Sequence, residues 1–162
     1  MEPPFRELPG VKNVISGYTG GKIDKPTYEQ VSSGSSGHFE AIQISYDPAI
    51  VSYDKLLDTF WRNIDPTDGD GQFADRGSQY HTAIFYANEA EKKTAEASLK
   101  KLSEGEVYKG RKILTQILPA KVFFPAEDYH QDYAKKNPLR YNAYKAGSGR
   151  AGYLEKTWGK KK

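Results

Sequence analysis

The chain has 162 residues, with 24 Lys and Arg against 21 Asp and Glu, and this near balance offers neither a basic stripe for nucleic acid nor an acidic tail. It contains no cysteine, which excludes structural disulfides, thiolate metal centres and a cysteine nucleophile supplied by these residues. Hydrophobic content of 37% and a mean hydropathy of -0.77 suit a soluble protein, no apolar run approaches the ~18 residues of a membrane span, and the start lacks the basic and apolar regions of a secretory signal.

The expectation is therefore a single cytoplasmic domain over residues 1–162, with Lys156 and Lys160 to Lys162 as a solvated end rather than a nucleic-acid site. Val11 to Tyr18 is rich in β-branched residues and runs into Gly17, Gly20 and Gly21, the pattern of a strand leaving into a turn. Tyr28 to Val31 reads as a helical turn, followed by a Ser/Gly loop over 32–37. His38 to Tyr46 alternates as a strand and stops at Asp47-Pro48. Ser52 is placed to cap a helix whose apolar face is Tyr53, Leu56, Leu57, Phe60, Trp61 and Ile64. Thr67 to Ser78 is a Gly- and Asp-rich loop, and loops of that length in compact domains are usually functional or disordered. Tyr80 to Ala87 suits a strand covered on both faces. Asn88 and Glu91 have capping-box spacing for a helix to Leu102, and Ile113 to Phe124 reads as a strand interrupted at Pro119. Glu127 to Lys136 is partly helical, and about 139–162 is expected to be an irregular tail. The order of elements predicts an α+β two-layer sandwich, a mixed sheet with helices over one face.

Alternation puts Glu40 on the same strand face as Ile42, Ile44 and Tyr46. A carboxylate in that register is either at the strand's wet end or buried; burial would raise its pKa as a general acid needs, whereas the plainer arrangement is pairing with Arg or Lys at the sheet's rim. The Asp68-Gly69-Asp70-Gly71 run invites calcium, but an EF-hand loop counted from Asp68 places Gln79 where the glutamate belongs, so that reading fails. Either the loop presents Asp75 and Gln79 beside Tyr80, or it is merely solvated. His38, His81 and His130 have no paired spacing, so no metal is expected. No phosphate loop and no nucleophile elbow is present.

Several stretches match in order: Leu8-Pro9-Gly10-Val11, Gly17-Tyr18-Thr19-Gly20-Gly21, Pro26-Thr27-Tyr28-Glu29-Gln30-Val31, Gly37-His38-Phe39-Glu40-Ala41 and Tyr46-Asp47-Pro48. They continue through Phe60-Trp61-Arg62-Asn63-Ile64-Asp65-Pro66, Asp75-Arg76-Gly77-Ser78-Gln79-Tyr80, Ala126-Glu127-Asp128-Tyr129-His130-Gln131-Asp132-Tyr133 and Lys136-Asn137-Pro138. In this the chain resembles the A-type peptide methionine sulfoxide reductases. The resemblance implies a ferredoxin-like two-layer α+β core and reduction of the S-epimer of methionine sulfoxide, free or in proteins, as repair of oxidative damage. It implies no bound cofactor, an external reductant (thioredoxin or another thiol), no nucleic-acid or membrane partner, and a monomer. Carried over by motif, Glu40 is the proton-donating acid, Tyr28 and Tyr80 assist at the sulfoxide oxygen, and Asp75 holds the substrate's backbone amide.

One part of the family's pattern is absent. The Gly-Cys-Phe-Trp motif, which brings the nucleophile and an aromatic cradle for the methyl group, would lie immediately before Met1, and the tail carries no recycling cysteines. A start inside a longer protein, a deliberately made fragment and a cysteine-less relative are the three accounts, with the first preferred. The cysteine-free chain is expected to be inactive; the alternative is a non-catalytic module that binds oxidised methionine.

Overall fold

The structure is a computed structural model, described here over residues 1–159. Helix α1 (Glu2–Arg6) leads into β1 (Val11–Thr19), α2 (Tyr28–Ser32), β2 (Phe39–Tyr46) and α3 (Tyr53–Trp61). A small hairpin of β3 (Gly71–Gln72) and β4 (Asp75–Arg76) follows, then a 3-10 turn over Ser78–Tyr80, β5 (Ala83–Tyr86) and α4 (Glu89–Glu104). The chain continues through β6 (Gln116–Pro119), β7 (Phe124–Pro125), a 3-10 turn over Asp128–His130, α5 (Tyr133–Lys136), α6 (Pro138–Gly147) and α7 (Arg150–Trp158).

Strand β1 is central. It pairs antiparallel with β2 along one edge and with β7 along the other, while β5 and β6 form a separate parallel pair. The α+β architecture is that expected from the pattern of elements, with the described strands divided among three hydrogen-bonded sheets, antiparallel β2-β1-β7 and β3-β4 and parallel β5-β6. Helix α3 joins the layers because its apolar positions face two ways. Leu57 and Trp61 pack with Ile64, Ile84 and Ala95, whereas Leu56 packs with Phe5, Val14 and Val51. Ser52 caps α3 by accepting from the Lys55 amide at 3.2 Å, and the buried Trp61 indole donates to Ser98 Oγ at 2.7 Å.

Two expectations need correction. The strand assigned to Tyr80 to Ala87 begins only at Ala83, because Tyr80 closes the 3-10 turn that ends the long loop. The tail beyond Pro138 is helical over 138–147 and 150–158 rather than irregular, with Gly149 at φ 79 separating the two helices. Pro138 occupies the first turn of α6, where its missing N–H removes no intrahelical bond. Neither helix has a buried residue, so no apolar stripe marked them in the sequence. Lys160 to Lys162 lie outside the described residues.

At Gly17 a Cβ would sit 2.3 Å from the Phe124 carbonyl oxygen and 2.5 Å from the Phe123 ring, so only glycine lets β7 close on β1. Gly17→Ala is expected to lower the unfolding free energy by roughly 1–3 kcal/mol in urea titration, the usual penalty for overpacking. An unchanged midpoint would show that the 123–126 segment yields without loss.

Candidate active site

Glu40 lies on β2 directly opposite Tyr18 of β1. Its three face-mates Ile42, Ile44 and Tyr46 pack onto the core, but Glu40 itself ends that face at an exposed position. Of the alternatives the sequence left open, the strand's wet end is the one the structure shows, without the ion pair expected at the rim. The carboxylate reaches solvent, and among the described residues no Lys or Arg forms an ion pair with it. It is nonetheless recessed: surrounding protein displaces enough water to raise its pKa, and the negative charge of Asp75 adds to the rise. A hydrogen bond from the Tyr80 hydroxyl and the nearby Met1 amino group oppose the shift without cancelling it.

Tyr80 is half-buried at the end of the 3-10 turn. Desolvation raises its own pKa, and Glu40, Asp75 and the Tyr28 hydroxyl act on it in the same direction. Tyr80 is therefore hydrogen-bonded to Glu40 and within electrostatic reach of Asp75 and Tyr28. The Met1 amino group feels both Glu40 and Asp75, which places the front of α1 at the same spot.

Asp75 is the first residue of β4. The β3–β4 hairpin turns tightly because Gly71, at φ +155, would otherwise place a Cβ 2.1 Å from the Asp75 carbonyl oxygen. Its tip residue Phe73 takes a left-handed φ of 56, strained for a bulky side chain, and is braced from outside. The Tyr153 ring lies 5.6 Å from it edge-on, and the Arg150 guanidinium sits 4.9 Å over its face. From α6 the Tyr144 hydroxyl donates directly to the Asp75 carboxylate. Gln79, by contrast, is turned away: it is buried and its amide donates to the Ser32 carbonyl at 2.8 Å, tying the loop to α2. Asp68, read as a calcium candidate and set aside, is held below the usual carboxylate range by Arg76, whose guanidinium lies at 2.6 Å.

Tyr28 opens α2, which Thr27 and Gln30 close with a reciprocal capping box. The loop before it is braced by buried His38, whose Nδ1 accepts from the Gly21 amide at 3.2 Å; its Nε2 therefore carries the proton and donates to the Ile23 carbonyl at 2.7 Å. The histidines do not converge, and among the described residues no His, Asp and Glu cluster could hold a metal. Sequence reading missed two contributors. Glu127 contacts Tyr28 from a segment 99 residues away, and Tyr144 belongs to the tail expected to be irregular. Glu127 lies within the Ala126 to Tyr133 motif, whose spacing does not tell which of its acidic residues turns inward.

A family model described as peptide methionine sulfoxide reductase matches residues 1–162. A peptide methionine sulfoxide reductase MsrA from Bacillus licheniformis is 55% identical over 161 residues, 99% of this chain and 88% of the relative. Among solved structures, reduced Mxr1 from Saccharomyces cerevisiae superposes with a TM-score of 0.79 at 32% identity, covering 85% of this chain and 79% of Mxr1. Methionine sulfoxide reductase A of Corynebacterium diphtheriae gives a TM-score of 0.77 at 35% identity, over 83% of this chain and 68% of that one. Mxr1 is also known in complex with Trx2, where the match is 25% identical with a TM-score of 0.50, over 77% and 68% of the two chains. The chain belongs to the peptide methionine sulfoxide reductase family.

The raised pKa of Glu40 has a consequence for stability. The folded protein holds this proton more tightly than the unfolded chain does, so the contribution is complete below the unfolded carboxylate pKa and is lost as pH rises through the folded value. Glu40→Gln stays neutral at every pH and keeps an acceptor for Tyr80. Its melting temperature is expected to exceed that of the unsubstituted chain near about pH 7.5, with the gap closing toward about pH 4. A gap that widens on acidification would contradict this account.

Proposed function

We propose that the chain carries the proton-donating and substrate-holding part of a site that reduces the S-epimer of methionine sulfoxide, acting as a monomer on protein-bound or free substrate. The observation behind this reading is the grouping of Glu40, hydrogen-bonded by Tyr80, with Asp75 beside it, in a chain of the reductase family. A sulfoxide oxygen only accepts hydrogen bonds, so its site must supply donors. A carboxyl group whose pKa is raised is such a donor and is also the proton source once the S–O bond weakens. Tyr80 and Tyr28 add hydroxyl donors at the oxygen, and Asp75 accepts from the substrate's backbone N–H.

The remaining chemistry needs a thiolate. It attacks the sulfoxide sulfur, the S–O bond breaks, and the oxygen leaves on the attacking sulfur as a sulfenic acid, which external thiols then reduce with release of water. A thioredoxin-type reductant fits that need, in keeping with the Trx2 complex of Mxr1, and a cytoplasmic setting keeps such thiols reduced. None of the 162 residues is a cysteine, so turnover by this chain alone is not expected. The Met1 amino group lies beside Glu40 and Asp75, so residues joined ahead of it emerge next to the acid.

With dithiothreitol as reductant, the 162-residue chain is expected to leave methionine sulfoxide unchanged. The same chain extended by Gly-Cys-Phe-Trp before Met1 is expected to consume the S-epimer and spare the R-epimer. Glu40→Ala in the extended chain should lower that rate roughly 100- to 10,000-fold. Turnover by the cysteine-free chain would sink the thiolate mechanism. Calorimetric binding of a sulfoxide peptide by the unextended chain, at micromolar strength, would favour the alternative of a non-catalytic binding module.

A further inference from the structure

Glu127 has a place in the molecule that the proposed chemistry leaves unused. It follows β7, and its segment is bound tightly to the edge of β1. The Ala126 amide donates to the Ser16 carbonyl at 2.9 Å, and the Gln131 side chain closes on both the amide and the carbonyl of Ser16, at 2.9 and 2.8 Å. From this fixed base the two carboxylate oxygens of Glu127 part company. Oε1 accepts from the Tyr28 backbone N–H at 3.2 Å, and Oε2 accepts from the Tyr18 hydroxyl at 2.9 Å. His130, three residues on, lies with Nε2 4.0 Å from Oε2 and its ring 4.8 Å from the Tyr28 ring.

Tyr28 needs such help. Helix α2 has five residues, too few to be stable through its own hydrogen bonds. Its capping box satisfies the Thr27 and Gln30 amides and leaves the Tyr28 amide without an intrahelical partner. A carboxylate filling that place makes a charge-assisted bond and completes the helix start. The Tyr18 hydroxyl, held by the same carboxylate, belongs to the residue paired with Glu40.

We propose that Glu127 is a positioning residue: its carboxylate locks the start of α2 against β1, and with the His130 ring tilted against the Tyr28 ring it fixes where Tyr28 points relative to Glu40. This rests on the reading of Tyr28 as an oxygen-side donor, and it is separable from it experimentally.

The test uses the 162-residue chain in two arms. NMR follows exchange of the Tyr28 amide and the Tyr28–His130 ring contact in the unsubstituted chain, Glu127→Gln and Glu127→Ala. Glutamine keeps an oxygen for the Tyr28 N–H and can donate to the Tyr18 hydroxyl, so it should preserve the ring contact. Alanine should abolish the contact and speed Tyr28 exchange about tenfold, while amides of α4 keep their protection. Loss of α4 protection as well would mean a general structural role and overturn the proposal, as would a Tyr28 contact that survives in Glu127→Ala. In the second arm, chemical shifts report binding of N-acetyl-methionine sulfoxide N-methylamide to Glu127→Ala, Tyr28→Phe and the double variant. A residue acting through Tyr28 gives a double variant no weaker than Tyr28→Phe alone, whereas additive losses count against it. Absence of binding to the unsubstituted chain, which lacks the aromatic cradle, leaves the sulfoxide reading to the turnover test of the extended chain, and the first arm still decides the positioning role.

Discussion

Strand β1 cannot tolerate a side chain at Gly17, and much of the site follows from that restriction. Because the Phe124 carbonyl and the Phe123 ring close onto this residue, β7 pairs along β1 over Gly17 and Tyr18. The opposite edge of β1 carries β2 in unbroken register from Asn13 to Thr19, which sets Glu40 across from Tyr18. One strand therefore holds an acid on one side and, through the residues just after β7, a second carboxylate on the other. Tyr18, nearly wholly buried with Val31 and Ala126, is the point where the two edges and α2 meet. Local pairing rules thus act over a sequence separation of 109 residues between Tyr18 and Glu127.

The side of the site carrying Asp75 is built on a different principle. The β3–β4 hairpin is two residues per strand and has little cohesion of its own. It is held by aromatic and cationic groups from the final helices, with Phe73 between Tyr153 and Arg150, and by the Tyr144 bond to Asp75. Those helices in turn dock through their rings, Tyr153 meeting the Tyr108 hydroxyl at 3.2 Å and Trp158 lying under the Arg62 guanidinium. Since neither α6 nor α7 buries a residue, this face rests on a few directed contacts rather than on core area. The two halves of the site thus differ in kind, one fixed by backbone pairing and one by side-chain latches.

The same contrast explains what the sequence made legible. Elements whose side chains follow a period, such as β2 and α3, could be placed to within a few residues, because burial of one face leaves that period in the chain, and β1 was legible from its β-branched residues and the glycines that follow them. The phase of β2 was legible too, which is how Glu40 stood out among 21 acidic residues. Its exposure was not, since alternation gives the face of a residue and not whether the end of that face is covered. Helices α6 and α7 have no apolar stripe, so nothing periodic announced them, and Tyr144 was lost with them. Glu127 was invisible for a third reason: its partners Tyr18 and Tyr28 are distant in sequence, and only the β1–β7 pairing brings them within reach.

Glu40 and Glu127 are chemically identical side chains flanking one strand, yet their surroundings push them in opposite directions. For Glu40, desolvation and the charge of Asp75 favour the protonated form, and one hydrogen bond from Tyr80 does not reverse that. Burial also raises Glu127, but the bonds from its own backbone, Tyr18 and the Tyr28 amide, together with His130, outweigh it and bring the pKa down. Donors aimed at a carboxylate stabilise its charge, and a neighbouring carboxylate destabilises it. The donors aimed at each carboxylate therefore decide which glutamate holds its proton more tightly than usual and which less tightly. An anionic anchor suits the proposed hold on Tyr28, because a protonated Glu127 would offer one fewer acceptor to two fixed donors. A proton-bearing Glu40 suits the proposed work at the sulfoxide oxygen, which accepts hydrogen bonds and never donates them. Exchanging the two environments would remove both abilities at once, so the division of labour lies in the donors around each carboxylate and not in the carboxylates themselves.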